Sequence, residues 1–218
     1  MSNSLYTVIT GDIRNSTRLP ATDLARLPFV LKEIFNEMNL FLKNKDQWIK
    51  YSIFRGDSFQ LVTQPAAALE AALLLRAGLR SAYPATVAAA VDCRLAIAIG
   101  STGNLSENIT ESTGEAFTLS GRLLESMGKS HYMAAVTPVL SMTLELNTEL
   151  ALCDALIRRW THLQALLVPK LLNSQTQSAI AVSTGISQSA VARKLQAMGW
   201  QAIEQLLSRY HVLCEQNF

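Results

Sequence analysis

The sequence predicts an α+β fold, a mostly antiparallel sheet with helices packed on one face and a small all-α module after it. Three observations carry this. Short apolar and β-branched runs alternate with helix-period segments over residues 1–137. Two of those runs, "WIKYSIF" and "SFQLVT", are separated only by Arg55, Gly56 and Asp57, close to the shortest link a hairpin allows. Residues 173–218 contain no strand-like run.

Each element has its own signal. "LYTVIT", Leu5 to Thr10, is a buried strand that ends at Gly11. In the next segment Leu24, Leu27, Leu31, Ile34, Phe35, Met38 and Phe41 or Leu42 recur every three or four positions, the stripe of an amphipathic helix, with Pro28 either kinking it or delaying its start. The hairpin follows, with Asp57 at its tip. "AAALEAALLLRAGLR" is an Ala/Leu helix, "CRLAIAIG" a buried strand, "GEAFTLSGRLLESM" a helix that Thr113 caps, and "YMAAVTP" a last short strand. The order strand, helix, hairpin, helix, strand, helix, strand is that of a ferredoxin-like sandwich. A Leu-rich connector over residues 138–172 forms one or two helices and leads to the all-α module.

Composition excludes several classes. With 49% hydrophobic and 17% charged residues, the 218-residue chain can bury a proper core. No run of about 18 apolar residues is present, and "MSNSLYTVITGD" lacks the features of a secretory signal, so a cytoplasmic protein without a membrane partner is expected. Cys93, Cys153 and Cys214 match no metal-ligand spacing and read as buried thiols. From Leu150 onward, Arg158, Arg159, Lys170, Arg193, Lys194 and Arg209 stand against Asp154, Glu204 and Glu215, which makes the tail +3 and the remainder −1. The basic part is the tail.

Two Gly-Asp pairs, in "VITGDIRNST" and "FRGDSFQLV", raise the question of a site. In the expected topology the first strand neighbours the hairpin, so Asp12 and Asp57 converge. Two carboxylates at one spot repel unless a cation lies between them, and Mg²⁺ or Mn²⁺ suits oxygen ligands while leaving room for phosphate oxygens. Taken singly, a Gly-Asp pair is an ordinary turn signal, and Arg55 could simply neutralise Asp57.

"GDIRNST", "FRGDSF", "LAIAIG" and "GEAFTLSGRL" fall in the order and spacing of the class III nucleotide cyclase-type domain, and the whole chain resembles the SatD-like family, in which such a domain precedes a helix-turn-helix. The resemblance implies that Asp12 and Asp57 are metal ligands, that Ile13 contributes its backbone carbonyl, and that Arg14, Asn15, Ser16 and Thr17 present a loop to a triphosphate. It also implies that Arg122 stabilises phosphate charge across a homodimer interface. The sequence departs from it at two places. Thr118 stands where active cyclases carry an asparagine, and Ile53 stands at the base-selecting position, with Lys50 three residues too early and Glu111 near a second base-reading position.

In the tail, "QSAIAVSTGISQSAVARKLQ" reads as helix, turn and a second helix capped by Ser187, with Ile180, Ala181, Ile186, Val191 and Leu195 packing between them. Gln188, Ser189, Ala192, Arg193 and Gln196 are then placed to meet DNA bases, and Lys194 and Arg209 to meet phosphates. The expected function is a dimeric DNA-binding regulator whose diverged cyclase-type domain senses a nucleotide or other phosphate-bearing ligand with Mg. The alternative is a metal-dependent nucleotidyl cyclase or other phosphoryl-transfer enzyme regulated by its tail.

Overall fold

The structure, a computed structural model, describes residues 5–14, 16–54, 56–83, 91–128 and 130–218. Asn15 and Arg55 lie outside the described residues.

Five strands, β1 (Leu5–Arg14), β2 (Ile49–Phe54), β3 (Ser58–Thr63), β4 (Asp92–Ser101) and β5 (Met133–Val136), form one sheet in the order β2-β3-β1-β4-β5. The first three pairings are antiparallel and β4–β5 is parallel. The first four strands therefore have the ferredoxin-like arrangement, with β1 in the middle.

β1 does not stop at Gly11. It continues through Asp12 to Arg14, because Gly11 is a close-approach residue and not a turn residue. A Cβ there would lie 2.4 Å from Phe59 Cζ and 2.7 Å from the Arg94 carbonyl oxygen. The second glycine, Gly56, has φ of 81° and makes the hairpin turn. The two Gly-Asp pairs thus have different causes.

Alternation along the strands gives the sheet two faces. Ile9, Ile13, Phe59, Leu61, Leu95 and Ile97 belong to the main core with α1 (Ala21–Lys43) and α2 (Ala68–Ala82). α1 runs through Pro28 without a delayed start, and Leu24, on the expected apolar stripe, is 43% exposed. The opposite face carries a smaller cluster of Val8, Val62, Ile109 and Ala116 beneath α3 (Glu115–Ser126). Helices therefore cover both faces, a correction to the one-face expectation. Ala96, Ala98 and Gly100 on β4 are small enough to admit α3; a Cβ at Gly100 would already stand 3.3 Å from the Ala116 amide nitrogen. Thr113 does not cap α3. It pairs with Asn104 across an isolated bridge, and Gly114 takes the cap position.

The connector forms α4 (Leu140–Ile157) and the short α5 (His162–Ala165) and α6 (Val168–Leu172). They are followed by α7 (Gln177–Thr184), α8 (Gln188–Met198) and α9 (Trp200–Asn217). The main core continues from the sheet and α2 through Ile157, Trp160 and Val168 into Ile180, Val191, Trp200 and Ile203. Polar ties cross the same boundary. Trp160 Nε1 donates to the Met198 carbonyl at 3.0 Å, Tyr210 Oη donates to the Pro65 carbonyl at 2.7 Å, and Arg209 pairs with Glu145 at 2.7 Å.

Candidate functional site

Asp12 lies on the central strand with Ser58 as its partner on one side and Arg94 on the other. Its face is the one carrying Val8 and Thr10. The Arg94 guanidinium grips it in a two-pronged fork. Nε donates to Oδ1 at 2.9 Å and Nη2 donates to Oδ2, while Nη1 donates to the Met127 carbonyl at 3.2 Å. Direct cross-strand placement builds this pair, since facing residues hold their Cβ atoms about 5 Å apart. The hydrogen bonds to Asp12 raise the Arg94 pKa above its ordinary value.

Asp57, at the hairpin tip, accepts from Ser58 Oγ at 3.3 Å and from Ser16 Oγ at 3.5 Å, and its carbonyl accepts the Ile13 amide at 2.8 Å. Ser58 thus links the two acids: it is the cross-strand neighbour of Asp12 and the hydroxyl donor to Asp57. The residues expected to form a phosphate loop divide, with Ile13 and Arg14 in β1 and Ser16 and Thr17 in the turn after it. The Ile13 side chain is buried in the main core, Ser16 is buried and Thr17 is exposed. The Arg14 guanidinium stands 5.8 Å from the Tyr132 ring centroid, and its Nε is buried with no partner among the described residues.

A divalent cation does not fit the residues as they stand. Both Asp12 oxygens are committed to Arg94, and among the described residues no group of three or more His, Cys, Asp or Glu side chains is placed to hold a metal.

The α3 residues are not brought to these acids within one chain. Thr118 and Arg122 lie on the exposed stripe of α3, one turn apart, while Ser120 on the inner side bonds Thr10 at 2.8 Å. Thr118 Oγ1 donates back to the Gly114 carbonyl at 3.3 Å. Ile53 pairs with Phe59 and packs on the main core, on the face opposite Asp12; Glu111 is exposed in a 3₁₀ turn.

On α8, Gln188, Ser189, Arg193 and Gln196 are exposed, and Ala192 and Lys194 are half-buried. Gly185 is left-handed at the end of α7, and the Ser187 hydroxyl accepts the Ala190 amide at 3.2 Å to start α8. Ile180, Ala181 and Val191 are buried between the helices, and Ile186 and Leu195 pack at the margin. Residues 173–199 contain Arg193 and Lys194 and no acidic residue.

A charge network in the interior has no counterpart in the sequence reading. Arg76, fully buried on α2, donates from Nε and Nη2 to Asp92 at 2.9 and 2.8 Å and from Nη1 to Asp154. Arg80 donates to Asp92 at 3.1 Å and to the Arg158 and Trp160 carbonyls. Asp154 also accepts the Tyr132 and Met133 amides at 2.9 and 3.0 Å, tying α4 to β5. The signal was available: "AAALEAALLLRAGLR" is apolar nearly all round, which marks a helix buried on every side, so its arginines had to find buried partners.

No family model matches the chain, and no curated protein sequence matches it. Among solved structures, one titled as a bacterial light-regulated adenylyl cyclase is similar over 61% of this chain and 42% of that chain, at 15% identity and a TM-score of 0.43. The chain therefore spans less than half the length of that protein, and a likeness of this size transfers no residue role. No helix among the described residues is long and apolar enough to cross a membrane.

Proposed function

We propose that the chain is a DNA-binding regulator that reads duplex DNA with α8 and works as a homodimer. The observation that supports this most is the exposed face of α8, where Gln188, Ser189, Arg193 and Gln196 stand clear of the core in a stretch without a carboxylate. Glutamine and arginine side chains can each make two hydrogen bonds to a base edge, and the absence of acidic groups spares the phosphates a repulsive partner. Lys194, at the margin of the same helix, is the phosphate contact.

The sheet is the sensing half in this reading. Arg14, whose buried Nε has no partner among the described residues, is the contact for a phosphate-bearing ligand such as a nucleotide. Pairing two copies through α3 would set Thr118 and Arg122 of one copy against the strand ends of the other. Ligand binding then biases DNA affinity only if the ligand binds one dimer geometry better than the other. The reading needs no Mg-dependent step; the metal-dependent cyclase alternative requires Asp12 to give up its pairing with Arg94.

The test is fluorescence anisotropy of the full chain on duplexes selected from a random pool, at several salt concentrations. Affinity should fall steeply with salt, and Arg193→Ala should weaken binding to the selected duplex by about 1–3 kcal/mol. Binding that ignores salt, or that survives Arg193→Ala and Gln188→Ala together, would remove the reading.

A further inference from the structure

We propose that the groove between α4 and α9 binds a small lipophilic cation, a primary ammonium on an apolar chain, with Glu149 as its counter-charge. The groove has a volume of about 280 Å³, and Leu152, Leu156, Ile203 and Leu206 line it together with Glu149 and Arg209. Apolar walls with a few converging polar groups are the usual make-up of a small-molecule site. Leu152 is 67% exposed, so the groove is open to solvent.

Charge decides the sign of the occupant. Arg209, the cation of the lining, is committed to Glu145, with Nε donating to Oε1 at 2.7 Å and Nη2 donating to Oε2 at 3.2 Å. Glu149, one turn further along α4, is left over. Its Oε2 is buried and has no hydrogen-bond partner among the described residues. Burial, and after it the charge of Glu145, raise the Glu149 pKa while Arg209 opposes them, as expected of a carboxylate short of partners. Such a carboxylate gains most from an N–H donor that carries positive charge, and the leucine and isoleucine walls beside it suit hydrocarbon.

The walls are set before a ligand enters. The Glu145–Arg209 pair ties α4 to α9 at one end. At the other end Leu156 packs against Gly199, where a Cβ would stand 3.0 Å from Leu156 Cδ2. A preformed groove leaves little for the ligand to order.

Binding is read without DNA, so the proposal goes beyond the regulator reading and stands or falls apart from it. The test is isothermal titration calorimetry of the full chain at about pH 8 with octylammonium, octanol and octanoate, for the wild type, Glu149→Gln and Leu152→Ser. The wild type should bind octylammonium at one site per chain and at least about tenfold more tightly than octanol, with octanoate weaker still. Glu149→Gln should erase the preference for the cation and leave octanol binding unchanged, and Leu152→Ser should weaken all three probes. No saturable binding of octylammonium, or equal affinity for octanol, would overturn the proposal, as would a preference that survives Glu149→Gln. So would a dimer in sedimentation velocity that Leu152→Ser dissociates, because a second copy of the chain would then be the occupant.

Discussion

Two arginine–aspartate forks meet β4 two residues apart, one through Asp92 and the other through Arg94. Arg76 and Asp92 have side-chain exposures of 0% and 2%; Arg94 and Asp12 have 18% and 28%. Both use the same two-pronged chemistry. Burial makes them different objects. In the interior, water cannot replace a lost partner, so every donor of Arg76 and Arg80 has to be answered by Asp92, Asp154 or a carbonyl, and the network fastens α2, β4, β5 and α4 together. At the sheet end, solvent can take over from a lost partner, so the Arg94 pair weighs less on whether the chain folds.

The largest effect that would break this contrast is expected at Asp92. Asp92→Ala leaves Arg76 and Arg80 without their shared carboxylate, and urea denaturation should show about 3–5 kcal/mol of lost stability. A loss no larger than that of a surface pair would mean that water reaches Arg76.

Thiol chemistry sharpens the same point. Cys93 lies between the two forks on β4, Cys153 adjoins Asp154, and all three cysteines are buried. Burial pushes Cys153 up to about 12 and Cys214 up to about 11, and raises Cys93 well above its ordinary value. Because alkylation requires the thiolate, the native protein at about pH 8 should resist iodoacetamide, and labelling should appear on unfolding. In Asp92→Ala, Cys93 and Cys153 should label before Cys214; equal rates for all three would place the disturbance elsewhere.

The smallest effect is expected at the exposed fork. Arg94→Ala should cost about 1 kcal/mol or less by the same urea measurement, the range of partly exposed pairs. A cost approaching that of Asp92→Ala would make Arg94 a structural residue first.

Much of the architecture was legible from periodicity. The hairpin, the helix stripe from Leu27 to Leu42 and the breaks at Gly56 and Gly185 are local features, and local sterics and alternation are enough to reveal them. The site was legible only in part. Asp12 and Asp57 were read as acids that converge, and Asp57 does adjoin Ser58, the β3 partner of Asp12, yet the partner of the Asp12 carboxylate comes from a strand 82 positions away, and nothing in "CRLAIAIG" marks Arg94 as its counter-ion. The Gly11 reading failed for a related reason: whether a glycine makes a turn or admits a ring depends on what packs across from it, here Phe59.

By itself the sequence determined the alternation of strands and helices, the tight hairpin, the carboxylate-free stretch around α8 and the burial of the cysteines, because each follows from the chemistry of neighbouring residues. Only the tertiary structure decided which charges meet, placing Arg76 between Asp92 and Asp154 and Arg94 upon Asp12. Ion pairing depends on distances of a few ångströms between groups far apart along the chain, and those distances exist only once the sheet register and the helix packing are set.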